Sequence, residues 1–203
     1  MIRRPVLLGV AAFVLAGCSG TPATPPADVS AEASPTADQA QAEPLTPQRL
    51  QSLWWSWASS AEPGQNPVDD STGEYCGDSQ PFGVWLIAGS RGGTADRHCQ
   101  VPAALPIAGP AVSLVAPDAA ACSAFLAAAT GEALLDGKPQ QLRKIEPMKI
   151  SYESGQGNKD GYGCGLWLQV EPLPPGEHTL TLRGSSGAVT SEANYDLTVV
   201  RLP

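Results

Sequence analysis

Residues 66–102 read NPVDDSTGEYCGDSQPFGVWLIAGSRGGTADRHCQVP, and this stretch decides the predicted fold. It contains an acidic turn region, one strongly apolar run at 83–88, a glycine-rich loop and a cysteine on each side of the run. The apolar letters VWLI do not alternate with polar ones, which is typical of a strand buried on both faces. A bridge between Cys76 and Cys99 would tie the acidic region to the far end of this strand.

The N-terminus has the pattern of an export signal. The basic pair Arg3-Arg4 precedes an apolar stretch at 5–15 that is too short to span a bilayer as a helix. The sequence LAGC that ends at Cys18 resembles a lipobox, the processing signal of bacterial lipoproteins. This resemblance implies a signal peptide at 1–17 and fatty acyl chains on Cys18 that anchor the protein to the outer face of a cell-envelope membrane. An ordinary secretory signal with an incidental cysteine is the alternative.

The mature chain is acidic and begins with a polar segment of low complexity. The chain has 12 basic and 20 acidic residues, and loss of Arg3 and Arg4 leaves 10 basic ones and a net charge near −10. Such a surface repels phosphate backbones, which argues against nucleic acid as a partner. Residues 18–44 are rich in Ala, Pro, Thr and acidic residues and predict a disordered tether. Residues 45–203 then form a single domain.

Four cysteines remain after lipidation of the first, and an oxidising compartment favours their pairing. Three pairings are conceivable. We expect Cys76–Cys99 and Cys122–Cys164, because these bridges close moderate loops and do not cross. Each bridge would stabilise the fold by about 2–4 kcal/mol, mainly by restricting the unfolded chain. The absence of CxxC and HExxH motifs from the sequence disfavours a metal site of those types.

The rest of the domain has the pattern of a mainly β protein with one or two short helices. Thr46-Pro47 predicts a helix start, and Leu50, Leu53, Trp54 and Trp57 form an apolar stripe that would pack on a sheet. A carbohydrate-binding aromatic platform is the alternative for these tryptophans. A second helix is expected after Asp118. Short strands with Gly and Pro turns are typical of an antiparallel β-sandwich, either immunoglobulin-like or jelly-roll-like. The expected strands are 111–116, 132–135, 140–145, 149–152, 166–171, 178–182 and 195–202, with a glycine-rich loop at 154–163.

Several short motifs resemble landmarks of a broad family of exported bacterial proteins of unassigned activity. The motifs are Trp54, Trp57, NPVDDSTGEYC, WLIAG, RHCQVP and LPPGEHTL. The similarity covers the chain from about Trp54 to Val200 and is interrupted after Pro102, where ALPIAGP replaces a more apolar strand. The resemblance implies a shared fold, and it implies no catalytic residue.

The densest group of oxygen ligands consists of Asp69, Asp70, Glu74 and Asp78. Calcium binds such residues, but the spacing is not that of an EF-hand. Because Asx residues beside Pro and Gly cap turns through the backbone, we expect a structural role, with a bound calcium ion as the alternative. Adjacent Asp69 and Asp70 would point to opposite faces of an extended chain, which disfavours shared acid–base chemistry.

Three further candidates surround the glycine loop. Arg91 and Arg97 flank it and could bind an anionic ligand, although salt bridges to the nearby acidic residues are expected. His98 stands beside Cys99, and a Cys–His nucleophile would need a free thiol there. A disulfide at Cys99 removes that thiol.

The sequence favours a non-enzymatic, lipid-anchored binding module of the cell envelope, whose protein or small-molecule partner it does not identify. The first alternative is an envelope hydrolase that uses Asp69, Asp70, Glu74 or His98. The second is a calcium-stabilised structural module; no other cofactor is expected. Convergence of these side chains in one concave pocket would favour the hydrolase.

Overall fold

The computed structural model describes residues 45–201, which form a mainly β domain with two helices. The predicted signal peptide, Cys18 and the tether lie outside the described residues. No helix between residues 45 and 201 is long and apolar enough to cross a membrane. The elements are α1 (Pro47–Ser60), β1 (Trp85–Leu86), β2 (Thr94–Pro102), β3 (Ile107–Ala116), α2 (Ala119–Ala127), β4 (Ala129–Leu135), β5 (Lys138–Gln140), β6 (Arg143–Tyr152), β7 (Lys159–Val170), β8 (Gly176–Ser186) and β9 (Val189–Val200).

Helix α1 begins where the sequence predicts it and packs as expected. The Thr46 hydroxyl accepts a hydrogen bond from the backbone N–H of Arg49 at 3.2 Å, and Pro47 lies in the first turn. The apolar stripe faces the sheet, and the indole N–H of Trp54 donates to the carbonyl oxygen of Ile87 at 2.8 Å. The helix therefore covers the first sheet and is hydrogen-bonded to the apolar run.

Two sheets pack face to face around the principal core. Their strand orders are β1-β3-β7-β6 and β2-β9-β8-β4-β5. The prediction of a mainly β, disulfide-stapled sandwich is confirmed. Two pairings, β1 with β3 and β2 with β9, are parallel, whereas the others are antiparallel. No short hairpin joins either parallel pair, so no turn imposes the antiparallel direction on them.

The side chains of residues 84–88 belong to two separate hydrophobic clusters, one on each face of the run. Val84, Leu86 and Ala88 pack against α1, whereas Trp85 and Ile87 pack between the sheets. All five are at most 6 % exposed. The prediction of a strand buried on both faces is confirmed, although only the two residues of β1 pair with a neighbour.

Both predicted disulfides are present. Cys76–Cys99 joins the acidic region to β2 with a Cα–Cα distance of 6.1 Å. Cys122–Cys164 joins α2 to β7 with a Cα–Cα distance of 5.9 Å. The bridges lie at separate places in the fold. One fastens the acidic region and the other fastens α2, and neither of these segments belongs to a sheet.

Strand β6 differs from the prediction of two separate strands at 140–145 and 149–152. It runs from Arg143 to Tyr152, and its register with β7 shifts between Ile145 and Met148. Pro147 lies at this irregularity. Proline has no N–H and is usually confined to strand edges and bulges. It lies at a bulge here, so the chain continues as one strand where the sequence predicted two.

Strand β7 begins at Lys159, inside the loop predicted over residues 154–163. Gly163 belongs to this strand and lies under α1. A Cβ atom at Gly163 would come within 2.7 Å of the Oε1 atom of Gln51. This glycine thus leaves room for the Gln51 side chain of α1, and it does not mark a loop.

Candidate functional site

A cleft with a volume of about 620 Å³ opens between α1, β3 and the beginning of β9. Small-molecule sites typically have volumes of about 300–1,000 Å³. We call it the α1 cleft. Five segments line it: residues 54, 55, 58 and 59 of α1; residues 66 and 68; the loop 89–92; residues 110–113 of β3; and residues 188–191.

The surface of the α1 cleft is apolar with isolated polar groups. The rings of Trp54 and Trp55 meet edge to face, with centroids 5.1 Å apart. The Nε1 atom of Trp55 is buried and has no hydrogen-bond partner among residues 45–201. Val189 also lines the cleft and is 49 % exposed. Polar side chains such as Ser113 and Thr190 interrupt this apolar lining, so the cleft is suited to a ligand that combines apolar surface with a small number of polar groups.

The glycine loop beside the cleft is held in place by β9. The Ser191 hydroxyl accepts a hydrogen bond from the backbone N–H of Ser90 at 3.1 Å. The Ser90 hydroxyl donates to the carbonyl of Gly93 at 2.7 Å and accepts from the N–H of Glu192 at 3.0 Å. A Cβ atom at Gly89 would collide with the Ser191 side chain. The parallel pairing of β2 with β9 therefore fixes one side of the cleft in advance.

Of the seven charged candidates predicted from the sequence, Arg91 is the one that lines the α1 cleft; Trp54, named as part of a possible aromatic platform, lines it as well. Its Nε atom lies 2.8 Å from Oδ1 of Asp69, so the expected salt bridge is present. Both side chains are more than half exposed. Pairs of this kind contribute little to stability, typically below about 1 kcal/mol.

Arg97 is buried in the protein interior and does not form the salt bridge predicted for it. Only 2 % of the residue is exposed. Its acceptors are the Tyr195 hydroxyl and the carbonyl oxygens of Val68, Asp70, Ala88 and Gly89. Burial raises the pKa of the Tyr195 hydroxyl, although the adjacent guanidinium and hydrogen bonds from Arg97 act in the opposite direction. Arg97 thus holds the acidic region and the end of the apolar run together.

Asp70 organises a turn and is not available to a ligand. Its carboxylate accepts hydrogen bonds from the backbone N–H groups of Thr72, Gly73 and Tyr75, each at 2.9 Å, and from the Thr72 hydroxyl. Burial raises the pKa of Asp70, but these four donors together hold the pKa below its ordinary value. The expectation that an Asx residue caps a turn here agrees with this geometry.

The remaining acidic candidates do not join a common site. Glu74 and Asp78 are exposed, and the backbone carbonyl of Asp78 accepts the indole N–H of Trp57 at 2.9 Å. Within the described part of the chain, no group of three or more His, Cys, Asp or Glu residues is placed to hold a metal ion. The side chains proposed as calcium ligands therefore lie in separate environments.

His98 lies on the outer face of β2, away from the α1 cleft. Its Nδ1 atom lies 3.2 Å from Oδ2 of Asp196, and both side chains are mostly exposed. A shallow cavity of about 370 Å³ contains both of them, together with His178 and Asp136. The structure therefore divides the seven candidate residues among several places.

The residues that matter most for the α1 cleft were not identified from the sequence. Trp55 carried a partial signal, because a tryptophan outside the apolar stripe of α1 stands out in the sequence, although its ring packs against the core and beside Tyr152. Val189 and Ser113 carried no such signal. They reach the cleft only because the two sheets bring distant strands together.

His178 lies near the start of β8, the central strand of the second sheet, and pairs with Asp136. Its Nδ1 atom lies 2.8 Å from Oδ2 of Asp136, and its Nε2 atom lies 3.0 Å from the carbonyl oxygen of Pro174. Since a carbonyl and a carboxylate only accept, both hydrogen bonds form together only when the imidazole is protonated. The hydrogen bond to Asp136 is the main cause that raises the pKa of His178 above its ordinary value of 6.5.

Replacement of His178 by alanine is expected to make the protein less stable near pH 5.5 by about 1–2 kcal/mol. Because folding raises the pKa of His178, its contribution is complete below about pH 6.5 and disappears as the pH rises through the folded-state pKa. Urea unfolding at a series of pH values measures this directly. His98→Ala removes an exposed imidazole and is the control. A constant difference between His178→Ala and wild type from mildly acidic to alkaline pH would contradict the assignment.

Comparisons with known proteins give no relative for this chain. No protein-family model matches it, and neither a curated protein nor a solved structure does. The resemblances to bacterial lipoproteins and to exported proteins of unassigned activity stay predictions from the sequence. The function is consequently inferred from the geometry of the α1 cleft.

Proposed function

We propose that this protein is a lipid-anchored, non-enzymatic binding module of the cell envelope and that the α1 cleft is its ligand site. The observation that carries the proposal is the cleft itself: a pair of tryptophans that meet edge to face, a half-exposed valine and a small number of polar side chains. Its two sides belong to a rigid sandwich and a disulfide-tied loop. A pre-formed apolar cleft with few polar groups is the usual form of a ligand site.

The state of the predicted acid–base residues favours binding over catalysis. Asp70 is committed to four donors within one turn, and Asp69 is paired with Arg91. His98 lies on another face and is paired with Asp196. A hydrolase needs its acid, base and substrate within hydrogen-bond reach of one another, and these side chains do not provide that arrangement.

The membrane anchor in this proposal is supported by the sequence alone. A basic start, a short apolar stretch and LAGC ending at Cys18 occur in the order of a lipoprotein leader. Intact-mass measurement of the full chain, extracted from membranes, should give a mature protein that begins at Cys18 and carries acyl chains. Cys18→Ser should abolish both features. A mature chain that begins elsewhere, or lacks the acyl mass, would contradict the anchor without affecting the proposal for the cleft.

The ligand site can be tested with two matched substitutions. The two large apolar side chains that are exposed among residues 45–201 are Val189, which lines the cleft, and Phe82, which does not. The full chain in nanodiscs is titrated by NMR with oligosaccharides, long-chain fatty acids and short random linear peptides. We expect one probe class to bind, Val189→Asp to weaken it at least about tenfold, and Phe82→Asp to leave it unchanged. Equal effects of both substitutions, or no binding of any probe, would refute the site.

A further inference from the structure

The first sheet has an open edge that runs into the α1 cleft. Strand β1 is the neighbour of β3 on this side, and it pairs only with Ile107 and Ala108. Strand β3 continues to Ala116 and pairs with β7 on its other side throughout. From residue 109 onward, therefore, no strand among the described residues pairs with this edge of β3. Residues 113–115 are half-buried, in contrast to their buried neighbours on both sides.

This open edge forms part of the α1 cleft, because residues 110–113 are among its lining residues. In a strand, successive residues direct their N–H and C=O groups to opposite neighbours. Beyond the register shift between Pro110 and Val112, every second residue of β3 consequently directs its backbone groups to this edge. Ser113 is the half-buried residue of β3 that lines the cleft, and residues 114 and 115 continue the edge past it. An extended peptide satisfies such a row of groups, whereas sugars and fatty acids do not match its spacing.

We propose that the natural occupant of the α1 cleft is an extended peptide segment of a partner protein, which pairs with the open edge of β3 as an added strand. This inference rests on the proposed function and specifies its ligand. Alternate side chains of the segment pack against the pair Trp54–Trp55 and against Val189. The peptide is short, because the cleft spans only four residues of β3.

Pro110 and the bulge that follows it determine what can bind there. Proline has no N–H to donate, and a bulge twists a strand away from a straight neighbour. Both features oppose pairing with a long, flat strand, including the β3 edge of a second copy of this protein. They leave the half-exposed residues 113–115 available to a short, flexible segment.

Charge further restricts the peptide. The mature chain carries a net charge near −10, from the counts of 12 basic and 20 acidic residues less Arg3 and Arg4. Arg91 at the cleft is already paired with Asp69. Long-range repulsion therefore disfavours acidic segments, and the expected ligand is a neutral or basic peptide with alternating apolar side chains.

Backbone methylation gives a sharp test of strand addition. Phage-displayed random linear peptides are selected on the full chain in nanodiscs, and the best binder is resynthesised with single N-methyl groups at successive residues. We expect methylation at alternate positions to weaken binding at least about tenfold and methylation at the intervening positions to have little effect. Trp55→Ala, which removes the aromatic side chain from the cleft wall, should weaken binding several-fold, and Phe82→Asp should not change it.

Several results would overturn the inference. Methylation effects without alternation, or a selected peptide that binds Val189→Asp as well as wild type, would exclude strand addition in this cleft. Cleft binding of an oligosaccharide or fatty acid without any selected peptide would leave the proposed function intact and refute this ligand. Self-association through β3, detected by sedimentation and abolished by Ser113→Pro, would assign the edge to a second copy. If no probe binds, both proposals fail.

Discussion

Replacement of Arg97 by methionine is expected to lower the free energy of unfolding by about 3–5 kcal/mol. The guanidinium donates to five oxygen atoms in a site from which water is excluded, and only 2 % of the residue is exposed. Methionine fills much of the volume but donates nothing. The carbonyls of Val68, Asp70 and Gly89 then lose this donor, at a cost of about 1–3 kcal/mol each where the chain cannot relax. The Ala88 carbonyl keeps the hydrogen bond from the Tyr195 hydroxyl. Urea unfolding at neutral pH measures the loss.

Two further substitutions distinguish the hydrogen-bonding role of Arg97 from a simple requirement for charge. Arg97→Lys keeps the charge but has three donors on one atom in place of a planar fork, so we expect a loss of about 2–3 kcal/mol. Arg91→Met removes a nearby arginine whose side chain is 69 % exposed, and it should cost less than about 1 kcal/mol. If Arg97→Met were as mild as Arg91→Met, the network would not be a determinant of stability.

The inward position of Arg97 was in fact visible in the sequence. Strand β2 alternates exposed and buried residues, so Ala95, Arg97, Cys99 and Val101 share the inner face. Once Cys99 is assigned to a buried disulfide, the period of two places Arg97 beside it. The prediction of a surface salt bridge ignored this periodicity. An arginine is usually exposed to solvent, but the position of Arg97 on the inner face of β2 places its side chain in the interior.

The disulfides and the sandwich were predictable because they follow from local patterns. Turn residues, the apolar run and the four cysteines of the domain restrict the choices strongly. The α1 cleft was not predictable, since its five lining segments extend over more than half of the chain. The loop at 89–92 reaches residues 188–191 through the parallel pairing of β2 with β9. The sequences of β2 and β9 do not predict that these two strands pair with each other or that they run parallel.

Removal of the Cys122–Cys164 bridge by paired alanine substitutions is expected to cost about 4 kcal/mol, against about 3.4 kcal/mol for Cys76–Cys99. The difference follows from loop length, because the cysteines are separated by 42 residues in the first bridge and 23 in the second. Since the loops do not overlap and the bridges lie in different parts of the fold, the two losses should add. Their sum of about 7 kcal/mol is comparable to the whole stability of a typical domain.

Accessibility gives the two bridges a second, independent difference. Cys122 and Cys164 are both 0 % exposed, whereas Cys76 is 9 % and Cys99 is 5 % exposed. Under native conditions a thiol reductant must reach a sulfur atom, so Cys76–Cys99 should be reduced first and Cys122–Cys164 only after local opening of α2. Alkylation of the freed thiols followed by peptide mass mapping gives the order. Simultaneous loss of both bridges would mean that reduction requires global unfolding, and reduction of Cys122–Cys164 first would show that α2 opens more readily than its packing indicates.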